Sequence, residues 1–372
     1  MKNIKFYEPE ITYGDKKELF SNVNNGWISS QAPIVSKFEF KFAKWHKMKF
    51  ALATSNCTTA LHLSLLSLNL NSTDEVICTN LTFIAPANMI ALTGAKLILV
   101  DVDKDDFAMS IEDLKKKINK KTKVIMVVHP FGFPAKIDKI KNIAKRNNIK
   151  IIEDVAESIG AKVNNRLCGT FGDISCYSFF ANKIMTTGEG GMILTNNKKL
   201  YLKMKLLRDH GMSQDKKYFH KFLAFNYRMT SMQAALGFSQ LKRLNLILKK
   251  KNLIEKNYIR FLPKINMKDI YIRKEIKKNE IVSWFVTITL KKRQYRDQFI
   301  EYMKNKKVEC RPMVFPVSHA NHFKNFYDSS NFPNATSISL RSVHLPSSAT
   351  LKLNQIKYIC NHIKNWLKTK KK

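Results

Sequence analysis

The sequence predicts an α/β protein in which a mostly parallel sheet is covered by helices on both faces. From about residue 47 to residue 200, short β-branched runs alternate with longer segments whose apolar residues recur every three to four positions. This alternation is typical of parallel strands joined by crossover helices. The chain has 372 residues, of which 44% are hydrophobic, so it can bury a large core and is not a disordered chain.

The alternating segments follow in a regular order. Strands are expected at residues 50–54, 75–78, 96–102, 124–129 and 150–154. Helices are expected at residues 58–68, 84–93, 111–118 and 137–146. Active sites in such sheets lie beyond the carboxyl ends of the strands. The residues that follow the strands are therefore candidates for a site, at 55–59, 79–83, 129–130 and 154–157.

The strand–helix alternation stops after residue 171. Two further strands are expected at 173–178 and 191–196, followed by one long helix at 229–251 that is interrupted by little more than Gly237. A strand at 281–290, a helix at 295–305, a strand at 308–311 and a last helix at 354–368 complete the pattern. We expect a large domain over residues 1–250 and a smaller C-terminal α/β domain over 251–372.

The net charge of +36 first suggests a polyanionic partner. The excess comes from 54 Lys against 11 Arg, whereas proteins that read nucleic acid favour Arg for its bidentate grip on phosphates and bases. The lysines are also spread along the chain. We therefore expect a basic surface and no nucleic-acid partner, with a nucleic-acid-binding protein as the less favoured alternative.

Other classes of protein are disfavoured by local features. The six cysteines never form a CxxC pair, which argues against a disulfide scaffold or a zinc ribbon and predicts a cytoplasmic protein without a metal site. The N-terminal residues lack an apolar signal core. The most apolar stretch, residues 81–100, contains Pro86, Gly94 and Lys96, so we expect a buried helix and strand there and no membrane span.

One pair of residues points to a specific chemistry. Asp154 ends an apolar strand, where a carboxylate is costly unless it meets a cation. Lys183 follows 29 residues later, just before the Gly-rich turn at 188–191. Pyridoxal phosphate needs both, because a Lys amine forms its Schiff base and a carboxylate keeps its pyridine nitrogen protonated. The turn lacks the Lys-Ser/Thr of a P-loop, and no Gly-x-Gly-x-x-Gly opens a helix after the first strand.

Longer motifs surround this pair in a recognisable order. They comprise residues 26–30 (GWISS), 55–62 (SNCTTALH), 153–160 (EDVAESIG), 177–183 (YSFFANK), 186–192 (TTGEGGM), 225–230 (FNYRMT) and 311–312 (RP). Together they resemble the DegT/DnrJ/EryC1/StrS sugar aminotransferases over residues 7–365. The resemblance implies a type I pyridoxal-phosphate aminotransferase fold and a homodimer whose active sites lie at the subunit interface.

The resemblance also assigns roles to residues of the cofactor site. It implies that Lys183 forms the Schiff base and shuttles the proton, and that Asp154 pairs with the pyridinium nitrogen. It further implies that Phe83 stacks on the ring and that Glu157 lies near the phenolic oxygen. The implied phosphate residues are Cys57, Thr58 and Ser178 of the same chain and Asn226, which reaches the phosphate from the partner subunit. Without the motifs, Phe83 would be read as core, Ser178 as a strand-end hydroxyl and Glu157 as a helix cap.

The expected reaction follows from the same resemblance. It is the transfer of an amino group from L-glutamate to the keto carbon of a nucleotide-linked 4-keto-6-deoxy sugar, GDP-linked as the first expectation and UDP- or dTDP-linked as the alternative. A sugar dehydratase of the same fold is less favoured, because that class has His in place of Lys183. The candidate substrate residues are Trp27, Ser30, Arg311 and His319. Ser283 and Ser318 stand where relatives tend to have Tyr and His, and we expect both to lie in the region that faces the sugar nucleotide.

Overall fold

A central sheet organises the first two thirds of the chain. The computed structural model describes residues 3–213, 215–216, 218–262, 270–272 and 281–370. Within these ranges the sheet has seven strands: β1 (Phe50–Thr54), β2 (Glu75–Thr79), β3 (Lys96–Val100), β4 (Thr122–Val128), β5 (Lys150–Asp154), β8 (Ile174–Ser178) and β9 (Gly191–Thr195). Their order across the sheet is β1-β9-β8-β5-β4-β2-β3. A short hairpin, β6 (Lys162–Val163) with β7 (Arg166–Leu167), follows β5.

Most pairs of this sheet are parallel, as the sequence predicts. The strands β8, β5, β4, β2 and β3 run parallel to one another, while β9 lies antiparallel between β1 and β8. Six of these seven strands have at most one residue that is not buried, which is why most of them read as short apolar runs. Parallel pairing brings the ends of β4 and β5 together, since Val128 is in register with Asp154.

Helices pack around this sheet and continue into the C-terminal part. They are α1 (Tyr13–Asn24), α2 (Pro33–His46), α3 (Cys57–Ser67), α4 (Ala85–Leu92), α5 (Ile111–Lys117), α6 (Ile137–Arg146), α7 (Lys198–Arg208), α8 (Ser231–Lys242), α9 (Leu244–Phe261), α10 (Gln294–Asn305), α11 (Pro333–Arg341) and α12 (Leu353–Thr369). A second sheet has the order β10 (Ile270–Ile272), β11 (Thr287–Leu290), β13 (Ser342–His344) and β12 (Arg311–Pro312), all antiparallel.

The long helix expected at 229–251 is wrong, because the structure has two helices there. The break falls at Arg243, whose backbone leaves the helical conformation at φ −113° and ψ 12°. Its guanidinium forms ion pairs with Glu10 at 2.9 Å and with Asp15 at 2.7 Å. Gly237, by contrast, lies inside α8, where an added Cβ would come within 2.7 Å of the Phe38 ring. That glycine permits close packing and does not interrupt the helix.

The strand expected at 281–290 is also shorter than the alternation suggests. Only Thr287–Leu290 pairs within the second sheet. Residues 281–286 are buried without strand pairing, and the Val282 N–H donates to the Gly132 carbonyl of the large sheet's loops at 3.0 Å. Similarly, the strand expected at 308–311 is observed at Arg311–Pro312. A segment buried on both sides has the same apolar pattern whether or not it joins a sheet.

The residues that the structure describes form two apolar cores. The first surrounds the seven-stranded sheet, and the second lies among α9, α10, α12 and the small sheet. Residue 250 lies inside α9, which contributes Ile247 to the first core and Ile254 to the second, so the division into domains at 250 stays a prediction. In the part of the chain that the structure describes, no helix combines the length and apolarity needed to cross a membrane.

Candidate active site

A cavity of about 580 Å³ opens beyond the carboxyl ends of the central strands. This is the edge of the sheet where the sequence predicts a site. Residues from the turns after β1, β2, β5 and β8 line it, together with residues of the C-terminal part. Eight of the residues singled out from the sequence are among them: Cys57, Thr58, Phe83, Asp154, Glu157, Ser178, Lys183 and Arg311.

Lys183 is the amine of this cavity. Its side chain is 12% exposed, and its Nζ lies 3.8 Å from Oε1 of Glu157 and 3.6 Å from the ring centroid of Trp284. Burial lowers the pKa of Lys183 from its ordinary value, while the carboxylates of Glu157 and Asp154 oppose that shift. A lysine with a lowered pKa has more of its amine in the neutral form, which is the nucleophilic and basic form.

The backbone around Lys183 is fixed by two long-range hydrogen bonds. The Tyr7 hydroxyl donates to the Lys183 carbonyl at 2.7 Å, and the Trp284 indole N–H donates to the Asn182 carbonyl at 2.7 Å. Both donors come from segments far away in the sequence. They hold the loop that presents the lysine, so that the amine projects from a rigid turn.

Asp154 supplies a buried carboxylate at the end of β5. Only 5% of the residue is exposed, and its Oδ1 accepts the Ala156 N–H at 2.9 Å. Oδ2 accepts no hydrogen bond from the residues that the structure describes. Burial raises the pKa of Asp154, although Lys183 and His129 favour its charged form. A carboxylate so placed is suited to a cationic N–H group within the cavity.

The first turn of α3 offers donors for an anion. Asn56 caps this helix by accepting the Thr59 N–H at 2.9 Å, so the N–H groups of Cys57 and Thr58 remain beyond the reach of intrahelical carbonyls. Gly191 makes this turn possible, because a Cβ there would lie 2.4 Å from the Asn56 carbonyl. Burial raises the pKa of the Cys57 thiol, which disfavours a thiolate at this position.

Two other predicted cofactor residues complete the cavity wall. Phe83 is 60% exposed, which is unusual for an ordinary core residue and leaves a face of its ring available for stacking. Glu157 is held in place by the Phe131 N–H, which donates to its Oε2 at 2.7 Å.

Four of the predicted site residues do not line the cavity of this chain. Asn226 and Trp27 are exposed, Ser30 is half-buried and His319 is partly buried. Ser283 and Ser318 are themselves buried and do not line the cavity, whereas Trp284, next to Ser283, does. That this region faces a sugar nucleotide stays a prediction. Ser318 forms two hydrogen bonds with Asn80. Its N–H donates to the Asn80 Oδ1 at 2.8 Å, and its hydroxyl accepts a hydrogen bond from the Asn80 Nδ2 at 3.0 Å.

Sequence reasoning missed other parts of the site. His344 lines the cavity and its Nδ1 lies 2.8 Å from the Thr287 hydroxyl. Phe6, Trp284 and Phe285 also line it, and Phe6 packs on Phe285 with ring centroids 4.6 Å apart. The one sequence signal for this segment is Ser283, next to Trp284, because relatives tend to have Tyr at that position.

The residues present fit pyridoxal phosphate. The cavity combines a buried amine, a buried carboxylate with one oxygen that is not hydrogen-bonded by the described residues, a helix N-terminus and an exposed aromatic face. These groups match the aldehyde, the pyridine nitrogen, the phosphate and the ring of that cofactor.

The comparisons with known proteins agree with this chemistry. The model of the DegT/DnrJ/EryC1/StrS aminotransferase family matches residues 9–364. The chain is 37% identical over 370 residues to a GDP-perosamine synthase from Escherichia coli O157:H7, covering 100% of both chains. It is 36% identical over 365 residues to a GDP-perosamine synthase from Vibrio cholerae, covering 98% of this chain and 99% of the other.

Solved structures share the fold. PseC from Helicobacter pylori, an aminotransferase involved in the biosynthesis of pseudoaminic acid, superposes with a TM-score of 0.93 at 25% identity and covers 98% of this chain and 99% of its own. The PLP form of Spr1654 from Streptococcus pneumoniae superposes with a TM-score of 0.91 at 24% identity, covering 98% of each chain. The fold is therefore that of pyridoxal-phosphate sugar aminotransferases. The chain belongs to the DegT/DnrJ/EryC1/StrS aminotransferase family, and it is a sugar aminotransferase that depends on pyridoxal phosphate.

Proposed function

We propose that this protein transfers the amino group of L-glutamate to C4 of GDP-4-keto-6-deoxymannose and so forms GDP-perosamine, for a surface polysaccharide made from a cytoplasmic precursor. The observation that carries this proposal is the similarity to GDP-perosamine synthases, which extends over the whole length of both chains at 37% identity. L-Glutamate is the donor that the family resemblance implies.

In this proposal Lys183 has two roles. It is the amine to which the cofactor attaches, and once freed it accepts the proton from Cα of glutamate and later returns a proton to C4 of the sugar. Burial lowers the pKa of Lys183, which increases the fraction of its amine in the neutral form that can accept a proton. Pyridoxal phosphate, when bound, supplies a ring that accepts the electron pair left by the departing proton.

The other residues hold and polarise that ring. Asp154, at the end of β5, keeps the ring nitrogen protonated by pairing its carboxylate with the N–H. The N–H groups of Cys57 and Thr58 and the Ser178 hydroxyl bind the phosphate, while Phe83 covers the ring. Glu157, whose Oε1 lies 3.8 Å from the Lys183 Nζ, would lie beside the phenolic oxygen of the bound cofactor.

We also propose a homodimer with shared sites. Asn226 is exposed and does not line the cavity of its own chain. It lies on a segment tied to α7 by backbone hydrogen bonds, in which the N–H groups of Phe225 and Tyr227 donate to Leu207 and Arg208. Trp27, Ile28 and Leu223 are large exposed side chains that a second copy would cover.

The substrate is tested by turnover. Purified protein is supplied with glutamate and either GDP-4-keto-6-deoxymannose or the UDP- and dTDP-linked 4-keto-6-deoxy sugars. The proposal predicts that the GDP-linked sugar has the highest kcat/KM and that 2-oxoglutarate appears in equal amount to the amino sugar. A preference for a UDP- or dTDP-linked sugar would instead favour the alternative substrate class.

The shared site is tested by mixing two impaired variants, Lys183→Ala and Asn226→Ala. In a mixed dimer, one site combines the intact Lys183 of one subunit with the intact Asn226 of the other. Activity should therefore return on mixing and co-refolding. No recovery, with each variant less active than the wild type, would argue that each chain builds its own complete site.

A further inference from the structure

A second buried lysine lies behind the active site. Lys251, in α9, is fully buried, and its Nζ donates to the carbonyl oxygen of Trp284 at 2.8 Å and to that of Ser347. Burial lowers the pKa of Lys251 to about 7. Glu255 favours the cationic form, but desolvation outweighs it.

The two carbonyls belong to neighbouring segments of the C-terminal part. Ser347 also accepts the Val286 N–H on its hydroxyl at 2.9 Å, so residues 284–286 and 347 are already joined. Lys251 adds a link from this pair of segments to α9. Because one side-chain nitrogen donates to both carbonyls, its loss would leave two buried acceptors without this donor.

The segment held in this way carries the side chain that contacts the catalytic amine. Trp284 is 5% exposed, and the Lys183 Nζ lies 3.6 Å from its ring centroid. The indole N–H of the same residue donates to the carbonyl of Asn182. The indole ring therefore covers one side of the amine and also fixes the loop that presents it.

We infer that Lys251 is a positioning residue, which holds Trp284 so that its indole ring stays against Lys183 and keeps water from that side of the amine. The inference rests on the proposed role of Lys183 as the cofactor lysine. Lys251 itself is not among the residues that line the cavity.

Tyr258 provides a matched control on the same helix. It is fully buried, and its hydroxyl donates to the carbonyl of Pro346 at 2.8 Å, next to Ser347. It therefore makes the same kind of bond, from the same helix to the same segment, without a bond to Trp284. A variant that lacks this hydroxyl reports what loosening of the 345–347 segment does by itself.

The test compares Lys251→Met with Tyr258→Phe, each with and without Trp284→Phe so that the emission of Trp284 can be isolated. In Lys251→Met we expect the emission of Trp284 to move to longer wavelength and its quenching by acrylamide to rise by about twofold or more. In the holoenzyme we expect borohydride to reduce the cofactor–lysine linkage about threefold faster, since that linkage loses its cover. Tyr258→Phe should change neither measurement. If Lys251→Met does not fold, Lys251→Gln, which keeps an amide donor, takes its place.

The outcomes are distinct. Wild-type emission and reduction rates in Lys251→Met, or equal changes in Tyr258→Phe, would overturn the inference. If borohydride attaches the cofactor of the wild type to a lysine other than Lys183, the proposed function of Lys183 fails. The emission of Trp284 would even then report whether Lys251 positions the indole ring.

Discussion

Two adjacent carboxylates on β5 have opposite surroundings. Glu153 is fully buried and accepts four hydrogen bonds, from the His129 ring and from the N–H groups of Gly169, Phe171 and Gly172. From the residues that the structure describes, Asp154 accepts one hydrogen bond, from the Ala156 N–H. The Glu153 carboxylate therefore stabilises the fold, whereas the Asp154 carboxylate can bind a ligand.

Because their surroundings differ, substitutions of the two carboxylates should affect different properties, turnover at Asp154 and stability at Glu153. Asp154→Asn should lower turnover about a hundredfold or more, because the amide cannot hold the ring nitrogen protonated. Its free energy of unfolding should stay the same or rise, since burial raises the pKa of Asp154 and disfavours the charged form that Asn removes. Steady-state kinetics and denaturant unfolding measure the two effects. Near-normal turnover would contradict the role of Asp154.

Glu153→Gln is the matched control. Its amide would turn an N–H₂ group toward donors that now meet a carboxylate oxygen, which should cost about 1–3 kcal/mol of unfolding free energy. A variant at 153 that is as stable as the wild type would show that the carboxylate at this position is not a structural anchor.

The buried Lys251 predicts a pH dependence of stability. Its pKa is about 7 in the folded protein against an ordinary value of 10.5, so folding penalises the charged amine fully below pH 7. Between pH 7 and 10.5 the unfolded chain binds more protons at this group, so the stability of the wild type relative to Lys251→Met should rise by roughly 1.4 kcal/mol per pH unit at most. Denaturant unfolding of both proteins at several pH values measures this. Parallel pH profiles would contradict the lowered pKa.

At the residue scale, the sequence identifies site residues that stand in recognisable local motifs. It does not identify residues that are distant in sequence and contact the site residues only in the folded protein. Lys183 and Asp154 stand in continuous motifs beside a strand end and a Gly-rich turn. Tyr7 and Lys251 bond to the backbone of site residues only through tertiary packing, Tyr7 to Lys183 across 176 positions of sequence and Lys251 to Trp284. A lone Tyr near the N-terminus or one Lys among 54 carries no local signal of such a contact.

At the scale of elements, Gly191, the first residue of β9, allows this strand to pack closely against the N-cap of α3. Gly191→Ala should lower the affinity for pyridoxal phosphate by about tenfold and stability by about 1–3 kcal/mol, because its Cβ would displace the Asn56 carbonyl at the helix cap. Titration of the apoprotein with cofactor measures the first effect. Gly14→Ala is the control, since a Cβ in α1 would make only an ordinary contact at 3.7 Å. Unchanged cofactor affinity in Gly191→Ala would mean that this turn does not hold the phosphate.

The elements that the sequence predicts well are those with local causes. The five strands from β1 to β5 and the helices between them come from the part of the sequence where short β-branched runs alternate with helical patterns. Their observed bounds lie within about two residues of the expected ones. The break between α8 and α9 depends on Arg243 meeting Glu10 and Asp15, more than 200 positions away. Periodicity alone could not reveal that interaction.

At the scale of the whole molecule, the charge of +36 bears on the rate of substrate capture. A substrate with a diphosphate should be attracted to a basic protein, so its kcat/KM should fall about tenfold as ionic strength rises from about 0.01 M to about 1 M. The kcat/KM for glutamate, which carries one net negative charge, should fall less. Equal and flat salt profiles for both substrates would remove any role of the charge in capture.

The central claim is that the cavity around Lys183 and Asp154 is the pyridoxal-phosphate site of this aminotransferase. The most direct test is to reduce the holoenzyme with borohydride, digest it and identify by mass spectrometry the lysine that carries the cofactor. We expect one modified lysine out of the 54 in the chain, Lys183, and no modification in Lys183→Arg. A cofactor found on another lysine of the wild type, or none at all, would contradict it.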